Sequence, residues 1–151
     1  MRSILNLKLL ILLMYFSGVT FASANHGIEG YWETVDDRTG QKKAIVKIEK
    51  VKQHFVGKIV KVYWKDKDHK RCVACHGRFK NQPVEGLDFL WGLDYHSPDL
   101  YMDGKILDPH NGQVYQVRVK KQHSNLFVRA YLGLPLLGRT QVWHRYHGVV
   151  E

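Results

Sequence analysis

From residue 30 to residue 147 the chain reads as short runs in which apolar side chains return at every second position, with no sustained helical period. Such runs form β-strands with one dry face. The pattern is clearest at 43–49, where Ala44, Val46 and Ile48 share one face and Lys43, Lys47 and Glu49 the other. It recurs at 113–120, with Tyr115, Val117 and Val119 together, and at 126–132, with Leu126, Val128 and Ala130 together. Further strands are expected at 30–35, 54–64, 86–91, 105–107 and 139–147, with 96–104 irregular. The connections carry turn chemistry, as in Asp36-Asp37-Arg38-Thr39-Gly40 and Asp108-Pro109-His110-Asn111-Gly112. About eight strands joined by short turns imply an all-β antiparallel meander. Closing it into a single up-and-down barrel would hide every sheet edge. A barrel of that size is filled by side chains or holds one small ligand.

The first 24 residues do not belong to that pattern. Arg2 and Lys8 precede an apolar run at 9–16, and Ala22-Ser23-Ala24 supplies a cleavage site. This order is that of a secretory signal peptide, and the run is too short to span a bilayer. The expected organisation is a leader at 1–24 and one barrel domain at 25–151, periplasmic or secreted, with no transmembrane segment. The 127 residues that remain of 151 can bury about two-thirds of their unfolded surface, enough to fold without a disulfide framework. The formal charge of +9 falls to +7 without Arg2 and Lys8. Its basic residues are scattered, not gathered in a run, and export argues against nucleic acid as a partner. Such a charge can draw the protein to an anionic envelope surface.

The only two cysteines lie in Cys72-Val73-Ala74-Cys75-His76. C-x-x-C-H is the attachment signature of haem c, with two thiols for the vinyl groups and a histidine for iron. His69, Cys72, Cys75 and His76 also supply four nitrogen and sulfur ligands of the kind tetrahedral zinc takes. A redox dithiol is a third reading, although it works at a helix N-terminus and none is expected here. The fourth is a structural disulfide, the usual fate of two cysteines in an exported chain. Closing so short a loop would stabilise the fold by ~2 kcal/mol. It would tie the one long polar excursion, residues 65–85, whose length itself suggests a local constraint. The β pattern weighs against haem, since small c-type cytochromes are mostly helical, and favours the disulfide.

The chain resembles the exported bacterial family called domain of unknown function 2147. The matching residues are Gly30-Tyr31-Trp32, the turn closing at Gly40, Gly57-Lys58-Ile59-Val60, Cys72 and Cys75, Gln82-Pro83 and Gly86-Leu87. They continue through 104–109 with Asn111-Gly112, and end with Tyr131 and the block at 138–145. The resemblance implies a lipocalin-like calycin barrel. In such barrels the tryptophan of an opening G-x-W packs against a basic residue of the last strand. Here that implies Trp32 with Arg145 or Arg139, Arg145 being favoured.

No catalytic constellation is expected. Asp36 and Asp37 are adjacent carboxylates in a turn, and His110, His144 and His147 have no accompanying nucleophile elbow or H-E-x-x-H motif. The sequence points to a non-enzymatic barrel that binds a small apolar or amphipathic molecule, lipid or fatty-acid-like. Tyr115, Phe127, Tyr131, Leu134, Leu136 and Trp143 are its candidate ligand contacts. The loop at 133–138 is apolar, so at a barrel rim it would cap a lumen, line an entrance or touch a membrane or partner. Two alternatives stand beside this reading: an envelope interaction protein with a filled barrel, and a haem protein.

Overall fold

The computed structural model describes residues 27–64 and 70–150; the leader at 1–24 and His69 lie outside the described residues. The strands are β1 (Gly30–Val35), β2 (Lys42–Val51), β3 (His54–Val62), β4 (Asp88–Ser97), β5 (Leu100–Leu107), β6 (Val114–Gln122), β7 (Asn125–Tyr131) and β8 (Arg139–Arg145). Each pairs antiparallel with the next, and β1 pairs with β8, so the sheet closes into a barrel without an edge. The inner face follows the alternation in the sequence: Ala44, Val46, Ile48, Val117, Val119, Leu126 and Val128 are all buried in one core.

Residues 96–104 differ from expectation. They are not irregular but form the β4–β5 hairpin, with Tyr95 opposite Tyr101 and Ser97 opposite Leu100. The register slips between Tyr95 and Ser97 and again between Tyr101 and Gly104, where Asp103 adopts a left-handed conformation (φ 64°). An extra residue in one strand breaks the period of two, which erases the sequence signal while the strand continues.

The two ends of the barrel are built differently. At one end the connections at 52–53, 98–99 and 123–124 are two residues long. There Trp32 is fully buried and its Nε1 donates to the Ile28 carbonyl at 2.8 Å. Arg145 lies opposite Trp32 across the β1–β8 seam. Its guanidinium sits 3.8 Å from the centre of the Trp32 ring and donates to the Glu29 carbonyl at 2.6 Å. Burial draws the Arg145 pKa down from the ordinary guanidinium value, with Glu29 opposing the shift. A cation over an indole face is worth ~0.5–2 kcal/mol, the more so when desolvated. The G-x-W spacing has a steric reason: a Cβ on Gly30 would lie 2.6 Å from Arg145 Nη1, and the residue has φ 115°. The arginine crosses where the side chain is missing.

The plug is a structural requirement. Trp32→Ala should cost ~3–5 kcal/mol, read as a lower midpoint in urea unfolding. Equal midpoints for wild type and variant would remove Trp32 from the closure.

Candidate functional site: a cavity at the open end

The opposite end carries the longer connections, at 36–41, 63–87, 108–113 and 132–138. The outer half of the barrel is hollow there, with a cavity of about 520 Å³. Val46, Ile59, Phe89, Val128 and Trp143 line it and are at least nine-tenths buried. Further toward the closed end, Ile48, Phe55, Leu93, Tyr101 and Leu126 pack the interior, and Phe55 and Tyr101 meet edge to face at 5.0 Å. Phe89 and Trp143 face each other at 6.0 Å, and Trp143 Nε1 donates to Gln141 Oε1 at 3.2 Å. The cavity is thus apolar in its depth.

Polar groups gather toward the mouth: Thr34, Asn111, Tyr115, Tyr131, Gln141 and the charged Lys43, Asp108 and Arg139. Asn111 Nδ2 donates to the Tyr115 hydroxyl at 3.1 Å, which leaves that hydroxyl's own proton to give. The Trp64 and His110 rings meet tilted, with centres 5.0 Å apart, and the Trp64 Nε1–H is buried without an acceptor among the described residues. An orphaned donor of this kind costs about 1–3 kcal/mol until something accepts from it.

Both mouth cations are already engaged. Lys43 Nζ lies 3.0 Å from Asp36, whose other oxygen caps the Arg38 and Thr39 amides at 3.0 Å each. Arg139 grips Asp37 through two nitrogens, Nε at 2.6 Å and Nη2. The adjacent carboxylates therefore point to different partners. The Lys43 ammonium, then the turn amides, hold Asp36 far below the usual carboxylate range; Arg139 holds Asp37 below it.

The excursion packs behind the 108–113 turn, whose Pro109, His110 and Asn111 line the mouth. Cys72 and Cys75 are joined in a disulfide (Cα–Cα 5.3 Å), and both are buried. Cys72 Sγ rests 3.4 Å from the Pro109 carbonyl oxygen. The same 108–113 turn comes so close that a Cβ on Gly112, which has φ 70°, would collide with the Ala74 carbonyl. Farther along, Phe79 stacks on Trp91 of the outer wall at 5.4 Å, with the Arg78 guanidinium 4.6 Å from the Phe79 ring centre. His76 is exposed beside a 3-10 turn at Gly77–Phe79. Haem attachment and zinc ligation both draw on these two sulfurs, which here are bonded to each other. Among the described residues no group of three or more His, Cys, Asp or Glu is placed to hold a metal ion.

Of the expected ligand contacts, Tyr115, Tyr131 and Trp143 line the cavity. Phe127, Leu134 and Leu136 do not. Phe127 alternates with the inward Leu126 and Val128, so it faces outward, and period two alone would have selected Ala130 in its place. Leu134 and Leu136 are 66% and 85% exposed on the rim, while Leu132 and Leu137 of the same loop reach the mouth. Trp64, Phe89, Asn111 and Gln141 were missed. They lie beyond or beside the clean alternation, and only closure of the barrel brings them to one space.

A closed eight-stranded meander, plugged by a Trp–Arg pair at one end and hollow at the other, defines a barrel of the lipocalin-like class. Residues 30–145 match the family described as uncharacterised proteins conserved in bacteria, domain of unknown function 2147, and the chain belongs to that family. It is also similar to a solved structure, protein HP1028 from the human pathogen Helicobacter pylori, described as belonging to the lipocalin family. The TM-score is 0.70 at 20% identity, over 80% of this chain and 84% of that one. No curated protein matches the sequence.

Thiol titration of the unfolded protein should find no free thiol without reductant and two after reduction, with no Soret absorbance; a haem band would reverse the assignment of Cys72 and Cys75. The depressed Asp36 and Asp37 also set an acid limit. An unfolded carboxyl titrates near about pH 3.9, so these pairs stabilise the fold above that value, and the stabilisation is lost as pH falls through the lower folded values. The melting temperature should fall below about pH 4, and Asp37→Asn should flatten part of that decline.

Proposed function

We propose that the protein is an exported, non-enzymatic binder of a small amphipathic molecule, lipid or fatty-acid-like, held tail-inward in the open half of the barrel. The observation that carries this reading is the cavity of about 520 Å³. Ligand sites commonly occupy ~300–1,000 Å³ and combine apolar walls with a few placed polar groups. The deep wall of Val46, Ile59, Phe89, Val128 and Trp143 suits an acyl chain or another hydrocarbon body. The mouth suits a polar end that accepts hydrogen bonds, because among the described residues Trp64 Nε1–H and the Tyr115 hydroxyl are donors with capacity to spare. Lys43 and Arg139 are neutralised by Asp36 and Asp37, so a bare anion gains less from them than the basic composition suggests. The hollow disfavours a filled barrel. Export rests on the leader pattern at 1–24, and the family is one conserved in bacteria. Among the described residues no helix is long and apolar enough to cross a membrane.

Native mass spectrometry of protein taken from its own periplasm should show a retained lipid-sized mass. Delipidated protein should bind a fluorescent fatty-acid analogue, and Ala44→Phe, which projects a ring into the hollow, should weaken binding about tenfold or more, or ~1.4 kcal/mol, while melting stays near wild type. Undiminished binding by a folded Ala44→Phe protein would place the probe elsewhere.

A further inference from the structure

We infer that the β7–β8 loop is a membrane-docking element that seats the barrel mouth on an anionic lipid bilayer. Leu132, Leu134, Leu136 and Leu137 are 56%, 66%, 85% and 79% exposed, four leucines within six residues on the rim. Exposure of such a patch has a solvation cost that a soluble surface ordinarily avoids. The loop is also held in shape from below. Arg129 of β7 donates through Nε to the Pro135 carbonyl at 2.7 Å, through Nη2 to the Leu136 carbonyl at 2.9 Å, and through Nη1 to Thr140 Oγ1 at 2.8 Å. The Leu137 amide donates to the Leu134 carbonyl and the Gly138 amide to the Pro135 carbonyl, each at 3.1 Å. The carbonyls of residues 134, 135 and 136 are therefore all satisfied from within the protein, and Pro135 has no N–H to satisfy.

That arrangement answers the main obstacle to placing a loop in lipid. Irregular backbone is excluded from hydrocarbon because its polar groups lose water and find no replacement. Here those acceptors are paired before contact, and the arginine that pairs them lies below the loop. The side chains offered are aliphatic only. Protein interfaces concentrate their binding energy in Trp, Tyr and Arg and under-use Leu, so the patch fits acyl chains better than a second protein surface. The charge nearby favours anionic headgroups. The excursion, which leaves and re-enters the barrel at the same end, exposes Lys70, Arg71 and Lys80 against Glu85, and the rim acids Asp36 and Asp37 are paired with Lys43 and Arg139. Asp108, at the mouth, is the opposing charge. Leu132 and Leu137 line the cavity mouth, so a docked loop turns that mouth toward the bilayer. Docking does not require the cavity to hold a ligand.

The test is flotation of protein beginning at Asn25, which retains every strand, with phosphatidylglycerol–phosphatidylcholine vesicles and with phosphatidylcholine alone. Wild type should float with the anionic vesicles, and less well with neutral ones or in high salt. Leu134→Asp with Leu136→Asp should reduce the bound fraction about tenfold or more. Neither side chain lines the cavity, so this variant should keep its melting temperature and its affinity for the fatty-acid analogue. Wild type remaining unbound would overturn docking, as would a folded double variant that floats equally well. So would a double variant that only turns a sedimenting dimer into a monomer, since the loop would then meet a second copy of the chain. Loss of probe binding with intact flotation would strike the cavity reading and leave docking in place.

Discussion

The closed barrel depends on the seam between β1 and β8. Its ladder aligns only Trp32 with Arg145, Glu33 with His144, and Thr34 with Trp143, whereas β6 and β7 align over seven pairs. Backbone pairing is short there, where the first and last strands must find each other across the greatest sequence separation. Two arginines of β8 compensate at the two ends. Arg145 covers the Trp32 ring and reaches the Glu29 carbonyl at the closed end; Arg139 grips Asp37 in the turn after β1 at the open end. Both candidates for a closing arginine thus have a role, by different physics. One is a desolvated cation on an aromatic face, and the other an exposed ion pair that acid or salt weakens.

The same closure separates filled from hollow. Tight two-residue turns at one end bring strands together over large inward residues such as Phe55, Leu93 and Tyr101. At the other end the connections are longer and the inward residues include the small Thr34, Ala44 and Ala130, so the walls do not meet. The disulfide clasp, the Phe79–Trp91 stack and the Arg129 bracket then hold the rim loops without filling the space between them. A preformed cavity with a fixed mouth needs little ordering to receive a ligand, which is the condition for binding without a large entropic cost.

The residues at 72–76 show how context governs a motif. C-x-x-C-H carries the chemistry of haem attachment, yet its sulfurs are joined to each other and buried against the 108–113 turn, with His76 facing water. The motif holds the turn that lines the mouth. Its contact with Gly112 and Pro109 ties two loops far apart in sequence, and nothing in the five residues themselves announces those neighbours.

Alternation determined the strands and their inner faces wherever it was unbroken: Ala44, Val46 and Ile48, then Tyr115, Val117 and Val119, then Leu126, Val128 and Ala130, are the inward sets of the barrel. Each is a local consequence of a period-two backbone beside an apolar interior, so sequence suffices. It failed at 96–104, because bulges shift the period without ending the strand. It also could not tell a filled barrel from a hollow one, nor place Trp64, Asn111 and Gln141 around a common space. Those depend on how far apart opposite walls stand and on which rim loops touch. Separations of that kind are set by closure of the whole sheet, and no single segment of the chain contains them.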